Sequence, residues 1–227
     1  MTSPRALAIA SVVVLGTHPV GAQDLLRYRA YTLESSIAAV VTISESRDSD
    51  VKSLHERPAL IQQLEWRPPY ALRGAEGADP VQDIIFRFYN GALYQLLVTY
   101  DRGRMEGLTN DDVIASVSAA YGVPPLRPAG ARSVAATEVA ADTTVVARWE
   151  DQSALVTLTR GSYPPKYQLT LTSKTLNGPA RAAIKESARL DAKEAPQREV
   201  AQRTKQAADA RVASDKARVT NKAAFRF

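Results

Sequence analysis

The 227-residue chain contains no cysteine and two histidines, His18 and His55. The first absence excludes disulfides, cysteine-ligated zinc, iron–sulfur clusters, thiol catalysis and a lipidated N-terminal cysteine. The second leaves no histidine-rich metal site. There is no Gly-x-Ser-x-Gly elbow to present a nucleophile, no Gly-x-Gly-x-x-Gly fingerprint and no phosphate loop. No apolar run approaches the roughly 20 residues of a membrane span. What is there, 45% hydrophobic and 23% charged residues, is the composition of a globular protein rather than a disordered one.

Residues 1–22 read as a secretory signal peptide. Arg5 supplies the positive n-region, and Ala6 to Gly16 is an uncharged h-region too short to span a bilayer. Gly16 and Pro19 break that run. Val20-Gly21-Ala22 is a small-residue cleavage pattern that makes Gln23 the mature N-terminus. Cleavage removes His18 and leaves His55 as the mature chain's one histidine. The expected location is periplasmic or secreted, in or from a bacterial envelope.

The mature chain reads as α+β. Leu33 to Ser44 predicts a helix capped by Ser35 or Ser36, with Ile37, Val40 and Val41 on one face. A second, polar helix is predicted from about Ser49 to Gln63, then a short strand Leu64 to Trp66 stopped by Pro68-Pro69. Arg73 to Pro80 reads as a loop. Val81–Tyr89 and Ala92–Tyr100 alternate in polarity on either side of Asn90-Gly91, the preferred two-residue hairpin turn. Thr109 and Asp112 have capping-box spacing before Val113, Ile114, Val117 and Tyr121, and Gly122 ends that helix. Arg127 to Ala141 reads as a linker. Thr143–Trp149, Ala154–Arg160 and Lys166–Thr175 predict three strands. The order is helix and three strands, twice. This predicts two αβββ units, residues 23–104 and 105–176, side by side or in one continuous sheet. Residues 177–227 predict a basic, alanine-rich tail, helical or partly disordered. Asn177-Gly178-Pro179 would separate it from the sheet, and Pro196 would break or kink it.

Chemistry-bearing patterns are sparse. A Ser-His-Asp triad would have to use His55. Carboxylate pairs remain as acid–base candidates: Glu106 with Asp111 or Asp112, and Glu150 with Asp151. Their positions also suit a helix N-terminus and a hairpin turn. Asp48-Ser49-Asp50 opens like a calcium loop, but Ser53 occupies the position that needs glycine, so it reads as a turn. No catalytic, cofactor or metal residue is assigned, and no cofactor is expected. Two aromatic–proline clusters stand out, Trp66-Arg67-Pro68-Pro69-Tyr70 and Tyr163-Pro164-Pro165-Lys166-Tyr167. Trp66, Tyr70, Tyr163 and Tyr167 are the candidate partner contacts, unless these rings close the core instead.

Gly107-Leu108-Thr109, Val113 and Gly122-Val123-Pro124 together resemble the Gly-Met-Thr…Val…Leu-Gly-x-Pro signature of the SmpA/OmlA-like outer-membrane assembly lipoproteins. Tandem copies of that helix-plus-sheet module form the fold of the β-lactamase inhibitory proteins. The resemblance covers about 18 residues. It departs at Leu108, in a helix about one turn longer, and in the missing lipidation cysteine. It implies an exported, non-catalytic, adaptor-like protein with tandem αβββ modules.

The expected function is therefore binding an envelope protein or anionic polymer. The alternatives are a periplasmic enzyme using paired carboxylates and a tail that docks on an anionic polymer or membrane surface. Nucleic acid is disfavoured, because the tail has no aromatic before Phe225 on which a base could stack. The net charge of +5 is unevenly spread. Arg5 contributes +1. Residues 23–176 hold 16 Lys+Arg and 18 Asp+Glu, which is −2, and residues 177–227 hold 12 and 6, which is +6. A slightly acidic body carries a basic arm.

Overall fold

The computed structural model describes residues 24–69, 79–126, 143–163, 165–224 and 226. The predicted signal peptide with Ala22 and Gln23, Tyr70, most of the Arg73–Pro80 loop and the Arg127–Ala141 linker lie outside them. The fold is α+β: a seven-stranded antiparallel sheet, a two-stranded sheet and three helices. The elements run β1 (Arg27–Tyr28), β2 (Tyr31–Thr32), α1 (Ile37–Ser44), β3 (Lys52–His55), β4 (Ile61–Trp66), β5 (Val81–Tyr89) and β6 (Ala92–Tyr100). They continue through α2 (Asn110–Tyr121), β7 (Thr143–Glu150), β8 (Ala154–Gly161), β9 (Tyr167–Ser173) and α3 (Lys174–Ala224).

The large sheet has the order β3-β4-β5-β6-β9-β8-β7. A four-stranded meander, β3-β4-β5-β6, follows α1 and a three-stranded one, β7-β8-β9, follows α2, so the first set has one strand more than the expected αβββ order. Their last strands, β6 and β9, pair at the junction with Leu97 opposite Thr170. The two sets therefore share one continuous sheet. Local chemistry sets the ends. Asn90 and Gly91 take positive φ (48° and 84°) and close the β5–β6 hairpin between Tyr89 and Ala92. Ser36 caps α1 by accepting from the Ala39 N–H at 3.3 Å. Thr109 and Asp112 close a reciprocal capping box on α2, and Gly122 ends it at φ 68°. Aspartate does here what glutamate does in the usual box.

Strand alternation gives the sheet two unlike faces. One carries Leu64, Phe86, Phe88, Leu96, Val98, Trp149, Val156, Leu158, Leu169 and Leu171, all buried. Val40 of α1, Val113, Ile114, Val117 and Tyr121 of α2, and Tyr28 and Tyr31 close this main core. Trp149 of edge strand β7 belongs to it, and Trp66 of β4 packs against it half-buried. The opposite face carries Asp83, Arg87, Gln95, Thr99, Thr157, Gln168, Thr170 and Thr172 by the same alternation. Its apolar cluster is small: Ile61 and Tyr94 against Ala180 and Ala183 of α3.

Two expectations are corrected. Residues 49–63 are not a helix. They form a 3₁₀ turn at Asp48–Asp50, edge strand β3 and the start of β4. An edge strand with solvent on one side keeps polar residues, so its sequence lacks the apolar alternation of an inner strand. Nor does Asn177-Gly178-Pro179 separate the tail from the sheet. The helix begins at Lys174, one residue after β9, and continues past both Pro179 and Pro196. Each proline removes one i→i−4 bond, and the carbonyls released, on Thr175 and Ala192, belong to exposed residues that water can reach.

Ser173 makes this abrupt switch from strand to helix possible. It is fully buried, and its hydroxyl accepts from the Leu176 N–H at 3.2 Å as the cap of α3. The same hydroxyl donates to Glu34 Oε1 at 2.7 Å, so a carboxylate sits beside the positive end of the helix. Ser173→Ala is expected to destabilise the protein by about 1–2 kcal/mol, the cost of a lost cap, in urea unfolding.

Candidate functional site

The five candidate carboxylates are all exposed. Asp112 is held by the hydroxyl and N–H of Thr109, which keep its carboxyl below the usual range. Glu150 pairs with Lys174 at 2.6 Å, and Asp151 Oδ1 accepts from the N–H groups of Ser153 and Ala154 at 2.7 Å. These are caps and turn ties. Asp48–Asp50 is a turn as well, closed by Asp50 Oδ2 accepting from the Arg47 N–H at 3.0 Å. Among the described residues no group of three or more His, Asp and Glu is placed to hold a metal ion.

The aromatic candidates separate. Tyr163 is 94% exposed. Tyr167, four residues on, is 4% exposed, and its hydroxyl donates to Asn110 Oδ1 at 2.7 Å while Arg160 lies over its ring. Trp66 is half-buried against the main core. Tyr167 and Trp66 therefore close the core, Tyr163 is free to meet a partner, and Tyr70 lies outside the described residues.

Two clusters escaped the sequence reading. The first gathers Tyr28, Tyr100 and Tyr121 near the Arg29–Asp79 ion pair. Burial pushes all three phenols up. Tyr121 donates to the Arg27 carbonyl at 3.1 Å, and the buried Tyr28 hydroxyl beside Tyr100 makes no well-formed hydrogen bond. Arg29 grips Asp79 with two guanidinium nitrogens and holds its carboxyl low. A depressed carboxyl stabilises the fold above its unfolded pKa and loses that contribution as pH falls through its folded value. Asp79→Asn is expected to cost about 0.5–1 kcal/mol at neutral pH, since the pair is partly exposed. The variant should converge with wild type as pH drops below about 4, in Tm measured against pH.

The second cluster is the root of α3. Ser187 is buried and its Oγ lies 2.9 Å from His55 Nδ1. Glu194 pairs with Arg57, and Arg198 bridges Asp191 at 2.7 Å and Glu194 at 3.3 Å. Arg57 holds the Glu194 carboxyl low, and Arg198 does the same for Asp191. Ser187 and His55 have the contact of a nucleophile and its base. Ser187, however, is packed beneath its own helix with 4% exposure, so the pair fastens α3 to the end of β3. Their separation of 132 residues hid them from any local motif.

Beyond the root, every residue from 195 to 224 is exposed. At 1.5 Å per residue these 30 residues project about 45 Å. Among the described residues no helix is long and apolar enough to cross a membrane. No family model matches the chain, and no curated protein or solved structure matches it either.

Proposed function

We propose that this chain is an exported binding protein of a bacterial cell envelope, an adaptor that works by contact rather than by catalysis. One observation carries the reading: a packed body continues without a loop into a helical arm of 30 exposed residues. The arm buries nothing of its own, so its length is of use only for reaching something else. The leader-like residues 1–22 support export, and the resemblance of residues 107–124 to the SmpA/OmlA-like signature supports an envelope setting. Tyr163 is the exposed aromatic on the body that a protein partner would cover.

The test is a pull-down from envelope extract with two forms, the mature chain and one ending at Glu194. Every described residue that the shorter form loses is exposed and both cores are kept, so it should fold. The full form should retain a partner, and N-terminal sequencing of exported protein should begin at Gln23. Failure of both forms to retain anything, or accumulation of the unprocessed chain in the cytoplasm, would overturn the reading.

A further inference from the structure

The cations of the arm are unevenly neutralised. Near its root, Arg198 pairs with Asp191 and Glu194, and Arg203 pairs with Glu199. Farther out, no ion pair among the described residues engages Lys205, Arg211, Lys216, Arg218 or Lys222. After Asp215 the sequence holds Lys216, Arg218, Lys222 and Arg226 and no further Asp or Glu. Charge therefore accumulates toward the tip.

Helical geometry gives it direction. At about 100° per residue, Arg211, Arg218 and Lys222 fall within about 40° of one another and span about 16 Å along the axis. Asp215 shares their side of the helix without pairing with any of them. The three side chains form a rail of positive charge on a stiff support.

We infer that this outer part of α3 docks on a linear polyanion, a chain bearing regularly repeated phosphate or carboxylate groups. The inference rests on the adaptor reading and names the chemistry of one partner. Charge complementarity selects the class. Stable seating on a bilayer takes an apolar face as well as cations, whereas the large apolar residues of the arm are three exposed valines, Val200, Val212 and Val219. A single-stranded nucleic acid calls for aromatic platforms, and residues 195–224 contain none. A polymer recognised by charge alone needs neither. The rigid helix also keeps the cations spaced before the polymer arrives, which lowers the ordering cost of binding.

The test uses the full mature chain and fluorescence anisotropy with labelled inorganic polyphosphate and labelled polyglutamate as probes. Three contacts predict a loss of about 20–40-fold in affinity between roughly 50 and 200 mM salt. The triple variant R211Q/R218Q/K222Q should bind at least about tenfold more weakly, with the slope of log Kd against log salt reduced by about 2–3. All three positions are exposed, so circular dichroism and Tm should match wild type. K205Q, off the rail, should change affinity less than about threefold. Binding to either polymer with this pattern supports the inference, and the tighter one assigns the anionic group. Unchanged binding in the triple variant, no binding to either polymer, or binding only to anionic phosphatidylglycerol vesicles would overturn it. If polymer binding fails but the full mature chain still captures an envelope partner, the adaptor reading stands and this inference alone is lost.

Discussion

Trp149→Ala should lower the free energy of unfolding by about 3–5 kcal/mol, the range for deleting a large buried aromatic. Trp149 is among the largest fully buried side chains and lies in β7, an edge strand of the sheet. It faces Val156 across the β7–β8 ladder and packs in the main core. Its indole N–H donates to Ser118 Oγ of α2 at 3.1 Å. One side chain thus joins the last meander to the helix that precedes it. The cavity left by alanine would be hard to close, because α2 is also held in place by the packing of Val113, Ile114, Val117 and Tyr121 and by the Tyr121 hydroxyl on the Arg27 carbonyl. Trp149→Phe separates the contributions. It keeps most of the buried ring and loses the hydrogen bond, for an expected cost of about 1–2 kcal/mol. Urea unfolding measures both. A cost under about 1 kcal/mol for the alanine variant would mean that β7 is not packed on α2 as described.

Ala180→Asp should cost about 3 kcal/mol by placing a charge in a dry interface with no partner. Ala180 is fully buried against Ile61 and Tyr94. The loss has a ceiling that the core variant lacks. The protein can escape the buried charge by lifting α3 from the sheet, so the cost cannot exceed what docking contributes. The second signature is therefore local. Trypsin should cut at Arg181, Lys185 and Arg189 while the sheet retains its native signal. Val212→Asp, at a site 68% exposed, is the matched control and should move Tm by less than about 1 °C. If Ala180→Asp leaves both Tm and cleavage unchanged, α3 does not rest on the sheet.

How legible these features were in the sequence depended on how locally they were determined. The Asn90-Gly91 hairpin and the Thr109–Asp112 cap are decided by residues within a few positions of each other, and both form as the sequence implies. The root of α3 was not readable, because its buried face is Ala180, Ala183 and Ser187. Leu176 and Ile184 pack beside them, but only these two large apolar residues mark the stripe, and its alanines look like those on the exposed side. Strand β3 was hidden for a related reason: Lys52, Ser53 and Leu54 are exposed, and only pairing with β4 makes them a strand. Tyr163 and Tyr167 looked equivalent as members of one aromatic–proline cluster. Their fates depend on where β9 begins and which face Tyr167 then takes, which is settled by the ladder with β8.

The direct junction of β9 and α3 also has a mechanical meaning. Once a pull on the arm has released the Ser187–His55 and Glu194–Arg57 contacts of the root, it enters the body at Ser173, in a strand bonded to β6 on one side and β8 on the other. Both ladders carry the load, and the Lys174–Glu150 pair ties the same point to the β7–β8 turn. A helix hung from an edge strand could peel that strand away one bond at a time. Here the tether is sewn into the interior of the sheet, and tension on it is shared between the two meanders.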